Sequence, residues 1–123
     1  MTEAIDFWER EMYGTNLETR ESEFFFVRDI LYVDMFSPKS NYRIPRFHTK
    51  TASYQATLTM EEVKYGLTFL TKLDTGTMVN MHNVETVEDL KWRLMVSFKE
   101  CNKRIEVAYS RKPILKHLIE PKK

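Results

Sequence analysis

Cysteine occurs once, at Cys101. One thiol excludes an internal disulfide framework, and it excludes a zinc site built from several cysteines of a single chain. Glycine occurs three times, at 14, 66 and 76, and proline four times. That scarcity removes collagen-like and low-complexity classes, and it leaves no glycine-rich loop of the kind that cradles phosphates. The three histidines, His48, His82 and His117, stand more than thirty residues apart. None has a ligating neighbour at the close spacing of a helix-borne metal motif, so no metal and no cofactor is expected. Stretches free of charge reach only ten residues, too short to span a bilayer. The acidic start (Glu3, Asp6, Glu9, Glu11) is unlike a signal peptide. A cytoplasmic or nuclear address is therefore the expectation, not secretion and not a membrane.

What is present is enough for one folded domain. The 123 residues are 42% hydrophobic and 13% aromatic, a composition that can bury a core without staples. We expect a single globular domain over 1–123.

Its net charge of +1 hides a polarity. Residues 1–36 carry nine acids against three bases. Residues 37–58 carry Lys39, Arg43, Arg46 and Lys50 and no acid. Residues 111–123 carry Arg111, Lys112, Lys116, Lys122 and Lys123 against Glu120 alone. Such asymmetry steers acidic partners toward the basic pieces, or pairs the pieces with one another.

Periodicity places the elements. Ile5, Trp8 and Met12 mark a helix over 3–13, and 15–23 reads as a polar link. Residues 24–36 favour strand by their aromatic and β-branched content, with a bulge or turn at Arg28-Asp29; a buried helix is the alternative. Pro38 and Pro45 make 37–50 an extended basic loop, and 52–58 alternates as a strand. Thr59-Met60-Glu61-Glu62 has the form of a capping box and opens a helix toward Leu73. A short strand follows over 77–82. Val87, Leu90, Leu94, Phe98 and Cys101 have helical spacing, and Ile105, Val107 and Tyr109 alternate as a strand. Pro113 suits the first turn of a last helix within the basic segment 111–123. The order α-β-β-α-β-α-β-α, with half-polar strands, predicts an α+β fold. Its two layers are a mostly antiparallel sheet of about four strands and a helical cover on one face.

No catalytic constellation emerges, and the chain is not expected to be an enzyme. Cys101 continues an apolar stripe, where a free thiol behaves as a small hydrophobe. Asp29 and Asp34 fall five residues apart, on opposite faces of a strand. Glu62-Val63-Lys64 lies on the expected helix, where residues two apart diverge. No small-molecule substrate is evident.

The feature above background is the interleaving of Lys39, Arg43, Arg46, His48 and Lys50 with Tyr42 and Phe47. Cations displace counterions from phosphates, and aromatic faces stack on unpaired bases. Arg111 and Lys112 offer a second phosphate-contacting surface. Phe47 is the stacking candidate, although Phe47 and Tyr54 would serve equally as core anchors. The expected function is thus a non-enzymatic binding protein. Its partner would be RNA or single-stranded DNA, held by Lys39, Tyr42, Arg43, Arg46, Phe47, His48, Lys50, Arg111 and Lys112. The alternative is a protein–protein interaction module (an adaptor, assembly subunit or inhibitor) with a protein partner or a second copy of the chain.

Overall fold

In the computed structural model, residues 10–39, 42–56, 67–74 and 76–119 are described, with the backbone alone at 37–39 and 42–43. Ten strands carry this part of the chain: β1 (Glu11–Asn16), β2 (Ser22–Phe26), β3 (Tyr32–Lys39), β4 (Tyr42–His48), β5 (Ser53–Gln55), β6 (Leu70–Asp74), β7 (Thr77–Asn80), β8 (Val84–Asp89), β9 (Arg93–Phe98) and β10 (Arg104–Ala108). A four-residue helix, α1 (Lys112–Leu115), follows, with Pro113 in its first turn. Every strand pair is antiparallel. Seven strands form one sheet in the order β2-β1-β5-β4-β3-β7-β6, and three form a second in the order β10-β9-β8.

This replaces the α+β expectation of a four-stranded sheet under helices. Residues 86–101, expected as one helix, are the hairpin β8–β9. The apolar positions Val87, Leu94 and Phe98 satisfy a helical stripe, yet they also fall on the inward faces of two short strands. The alternation Leu94, Val96, Phe98, all buried, decides between the two. Lys91, at φ 79°, supplies the left-handed residue that closes the turn. Leu70–Asp74 is likewise strand where the expected helix was to run toward Leu73; the capping box at 59–62 lies outside the described residues. Of the first expected helix, 3–9 lies outside the description and Glu11–Tyr13 belongs to β1. The break expected at Arg28-Asp29 is present as a 3-10 turn, Val27–Asp29, which divides β2 from β3. Where an extended loop was expected over 37–50, residues 37–39 belong to β3 and 42–48 to β4.

Alternation along the large sheet sends side chains to two cores. Val33 pairs with Phe47 and Met78, and Phe47 with Tyr54. With Phe25, Val27, Ile30 and Leu67 they make the first core. On the opposite face Tyr32 and Val79 join Leu73 beneath the small sheet, whose Val87, Leu94, Val96, Phe98 and Val107 complete the second core with Leu115. Successive residues of β3 serve opposite faces, Tyr32 toward the second core and Val33 in the first, so this part of the strand is apolar on both sides.

The two sheets are joined through amide side chains at one end. Asn80, fully buried, donates Nδ2 to the Ile30 carbonyl at 2.9 Å and accepts from the His82 N–H at 3.1 Å. Asn83 donates to the same Ile30 carbonyl at 3.0 Å and to that of Arg28 at 3.1 Å. Its own carbonyl accepts from the Lys99 N–H. The carbonyls of Arg28 and Ile30, between β2 and β3, and the His82 N–H, between β7 and β8, are thereby satisfied.

Candidate nucleic-acid interface

The polar face of the large sheet starts from strand register. Asp34 on β3 pairs with Arg46 on β4, and Arg46 with Gln55 on β5. One step along, Tyr32 pairs with His48, and His48 with Ser53. The period of two brings these side chains to one face, beside the margin of the small sheet.

They form a closed network. Arg46 donates Nε and Nη2 to the two oxygens of Asp34 at 3.0 and 2.9 Å. His48 Nε2 lies 2.9 Å from Asp34 Oδ1, and its Nδ1 lies 2.7 Å from Ser53 Oγ. A carboxylate only accepts, so Nε2 carries the hydrogen; in the neutral ring Nδ1 then accepts from the Ser53 hydroxyl. Tyr32 stacks on the His48 ring at 4.2 Å, and on its outer side lies parallel to Phe98 at 5.6 Å. Burial alone would raise the Asp34 carboxyl. The hydrogen bonds from His48 and Arg46 overturn that and hold it at about 2. The order Ser–His–Asp has the composition of a hydrolytic triad. Here, however, the aspartate is clamped by an arginine and the histidine is buried, so the arrangement is a structural lock.

This geometry redistributes the residues singled out in the sequence. Phe47 is 0% exposed, in the first core, against Phe25 at 5.9 Å; no base can reach its ring, and the stacking role is withdrawn. His48 has both ring nitrogens engaged. Arg46 is committed to Asp34. Lys50 is paired with Glu100 at 2.6 Å across the two sheets. Lys112 is paired with Asp89 at 2.9 Å and hydrogen-bonded to Tyr109; those contacts, Tyr109 first, raise its pKa. Lys39, Tyr42 and Arg43 sit at the β3–β4 turn, at the end of the large sheet that also carries the β6–β7 turn, since Asp34 pairs with Thr77. Arg111 follows β10 and makes no ion pair among the described residues; its Nε is buried without a hydrogen-bond partner. Charge runs identify cations by position, and they do not show which acids the fold will bring against them.

The sequence reading missed the far end of the small sheet. There Asp89 Oδ1 accepts from the Lys91 N–H at 2.8 Å, while Oδ2 accepts from Tyr109 Oη at 3.1 Å and receives the Lys112 ammonium. One carboxylate thus ties the β8–β9 turn to the basic segment after β10. Trp92, in that turn, is 70% exposed. The signal available was Lys91-Trp92-Arg93, an exposed-type aromatic between two cations. The helical spacing of Val87, Leu90, Leu94 and Phe98 around it masks that signal.

Among the described residues no group of three or more His, Cys, Asp or Glu could hold a metal ion, and no helix is long and apolar enough to cross a membrane.

Comparison with known proteins agrees with the β architecture. A solved structure described as the LytTr DNA-binding domain of a methyl-accepting/DNA response regulator from Bacillus cereus superposes with a TM-score of 0.64. It is 11% identical, over 88% of this chain and 94% of that one. At that identity the likeness concerns the fold, and it is a β-rich fold rather than a helix-covered sheet. No curated protein matches the chain. A sequence model of the LytTr DNA-binding domain matches residues 5–120, nearly the whole chain. Nucleic acid stands as the partner class and a non-catalytic role stands with it. RNA, single-stranded DNA and the protein-interaction module give way to DNA as this family's ligand. With fold and sequence model in agreement, the chain belongs to the LytTr DNA-binding domain family.

Proposed function

We propose that this chain binds duplex DNA, with the β3–β4 turn and the segment from Arg111 supplying the backbone contacts. The family match over residues 5–120 carries this reading. Electrostatics support the choice of elements. Lys39 and Arg43 lie in a stretch, 37–58, that contains no acid. Arg111 and the exposed Lys116 meet no acid partner among the described residues. Arg46, Lys50 and Lys112 are neutralised by Asp34, Glu100 and Asp89, so direct phosphate contacts are assigned to the other cations.

Duplex rather than single strand follows from the aromatics. A single-strand platform needs several exposed rings along a basic groove. Phe47 and Tyr54 are buried, and Tyr32 is covered by His48 and Phe98. The exposed pair Tyr13 and Phe24 lies on the β1–β2 edge among Glu11, Glu21 and Glu23.

The test is anisotropy titration of a labelled mixed-sequence duplex, and of one of its single strands, over a series of salt concentrations. Affinity for duplex should exceed that for the single strand and fall linearly with log salt. Arg43→Ala and Arg111→Ala should each reduce that slope by about one unit. Tighter binding to the single strand, or no duplex binding at low salt, would overturn the reading.

A further inference from the structure

We propose that the Lys91–Trp92–Arg93 turn is a further DNA contact, in which the Trp92 indole packs on a deoxyribose of the duplex backbone next to phosphates engaged by Arg111. This rests on the duplex-binding reading and adds to it a residue and a mode of contact.

Three observations converge on the turn. Among the described residues Trp92 is the most exposed of the large apolar side chains, at 70%. The guanidinium of its neighbour Arg93 lies 5.7 Å from the ring centroid. A tryptophan left in water at a turn forgoes a large burial free energy, which a partner surface would recover.

The turn is also rigid. Lys91 adopts φ 79°, its N–H is held by Asp89 Oδ1, and the Leu90 N–H donates to the Arg93 carbonyl at 3.0 Å. Arg93 is steered by Glu106 at 2.9 Å on the adjoining strand. A ring presented on a fixed turn loses little freedom on binding.

Finally, the same Asp89 carboxylate that fixes the turn receives Lys112 and Tyr109. Trp92 is therefore held on the element next to Arg111, whose buried Nε lacks a partner. Lys91, Arg93, Arg111, Lys112 and Lys116 outnumber the acids Glu88, Asp89 and Glu106 interleaved with them. That balance fits a polyanion better than an acidic or neutral protein surface.

Indole suits the sugar–phosphate backbone. Its face is apolar enough to lie on a deoxyribose, and its N–H can donate to a phosphate oxygen. Since the contact is to the backbone, it adds affinity without reading sequence.

The experiment measures duplex affinity against salt for the full chain, Trp92→Ala, Lys91→Ala and Arg43→Ala, with melting temperature and sedimentation for each. Trp8→Phe provides a background in which Trp92 fluorescence alone is read. Trp92→Ala should weaken binding about tenfold, the lower range for a ring stacked on nucleic acid, with an unchanged salt slope because indole carries no charge. Its melting temperature should match that of the wild type. Lys91→Ala should lower the slope by about one unit. In the Trp8→Phe background, duplex should quench or shift the Trp92 emission. Unchanged affinity in Trp92→Ala, with Arg43→Ala weakened, would overturn this inference and leave the duplex reading standing. No binding by wild type would overturn the duplex reading and the inference with it. If Trp92→Ala instead converts a dimer to a monomer, Trp92 is a contact between copies and the inference falls.

Discussion

Asp34 and Arg46 face one another on directly paired strands, and the guanidinium closes on the carboxylate through both of its oxygens at 2.9 and 3.0 Å. His48, one step along the same strand face, adds a third hydrogen bond to that carboxylate. Three strands are thereby joined through side chains, since His48 passes the contact to Ser53 on β5.

Removing the charge at the centre of this network should be costly. Asp34→Asn leaves Arg46 without its counter-ion and takes acceptor capacity from His48. We expect a loss of about 2–4 kcal/mol, within the usual range for breaking a partly buried pair from one side. The folded carboxyl sits at about 2, below its ordinary value of 3.8. A depressed carboxyl contributes stability that is complete above the unfolded pKa and is lost as pH falls through the folded one. The wild type should therefore lose on the order of 2 kcal/mol between about pH 4 and pH 2 from this group. Asp34→Asn should lack that part of the acid transition. Urea midpoints at neutral and acidic pH check both statements.

Phe47 gives the sharpest separation between core and contact. With no exposure and a place in the first core beside Phe25 and Tyr54, Phe47→Ala should destabilise by about 3–5 kcal/mol. Whatever fraction remains folded should keep the wild-type salt slope on DNA. A variant of unchanged melting temperature and weakened binding would place the ring at the interface after all.

Gly14 marks a close approach between strands. A Cβ there would stand 2.9 Å from the Gln55 carbonyl oxygen and 3.3 Å from the Phe25 ring. Backbone cannot swing aside as a side-chain tip can, so Gly14→Ala should cost about 1–3 kcal/mol through displacement of β5. Arg20, in the adjoining turn, holds φ 68°. Arg20→Gly should be neutral or stabilising by up to about 1 kcal/mol, because glycine adopts that backbone without strain. Thermal melts of the two variants should move in opposite directions or, for Arg20→Gly, not at all.

The reach of the sequence is visible at particular residues. The strands Thr77–Asn80 and Arg104–Ala108 were legible, and so were the break at Arg28-Asp29 and Pro113 at its helix start. The β8–β9 hairpin was not. Val87, Leu94 and Phe98 match a helical stripe as well as they match two strands, and the turn between them is closed by a lysine rather than a glycine. Local pattern carries no information about which alternative the tertiary pairing selects. The functional residues divide in the same way. Position and charge type are in the sequence, so the basic stretch at 37–50 was readable, although as a loop and not as the strands it forms. The partners of Arg46, Lys50 and Lys112 lie 12, 50 and 23 residues away, and only the fold brings them into contact.

That division yields a last prediction, about cations of one charge and different surroundings. Arg46 and Arg43 lie on one strand, three residues apart, and a count of charges treats them alike. Arg46 is held by Asp34 through two hydrogen bonds and covered by Phe36, whose ring centroid lies 5.1 Å from the guanidinium carbon. Arg46→Ala should lower the melting temperature and leave the salt slope of DNA binding nearly unchanged. A guanidinium already neutralised by a carboxylate displaces no counterion from the duplex. Arg43→Ala should do the reverse, flattening the slope by about one unit at little cost in stability. Lys50→Ala should resemble Arg46→Ala in its slope, with a smaller effect on stability, because its pair with Glu100 is exposed and screened by solvent. Equal slopes for Arg46→Ala and Arg43→Ala would mean that Arg46 leaves Asp34 for a phosphate on binding. Asp34→Ala should then raise DNA affinity by freeing the arginine in advance.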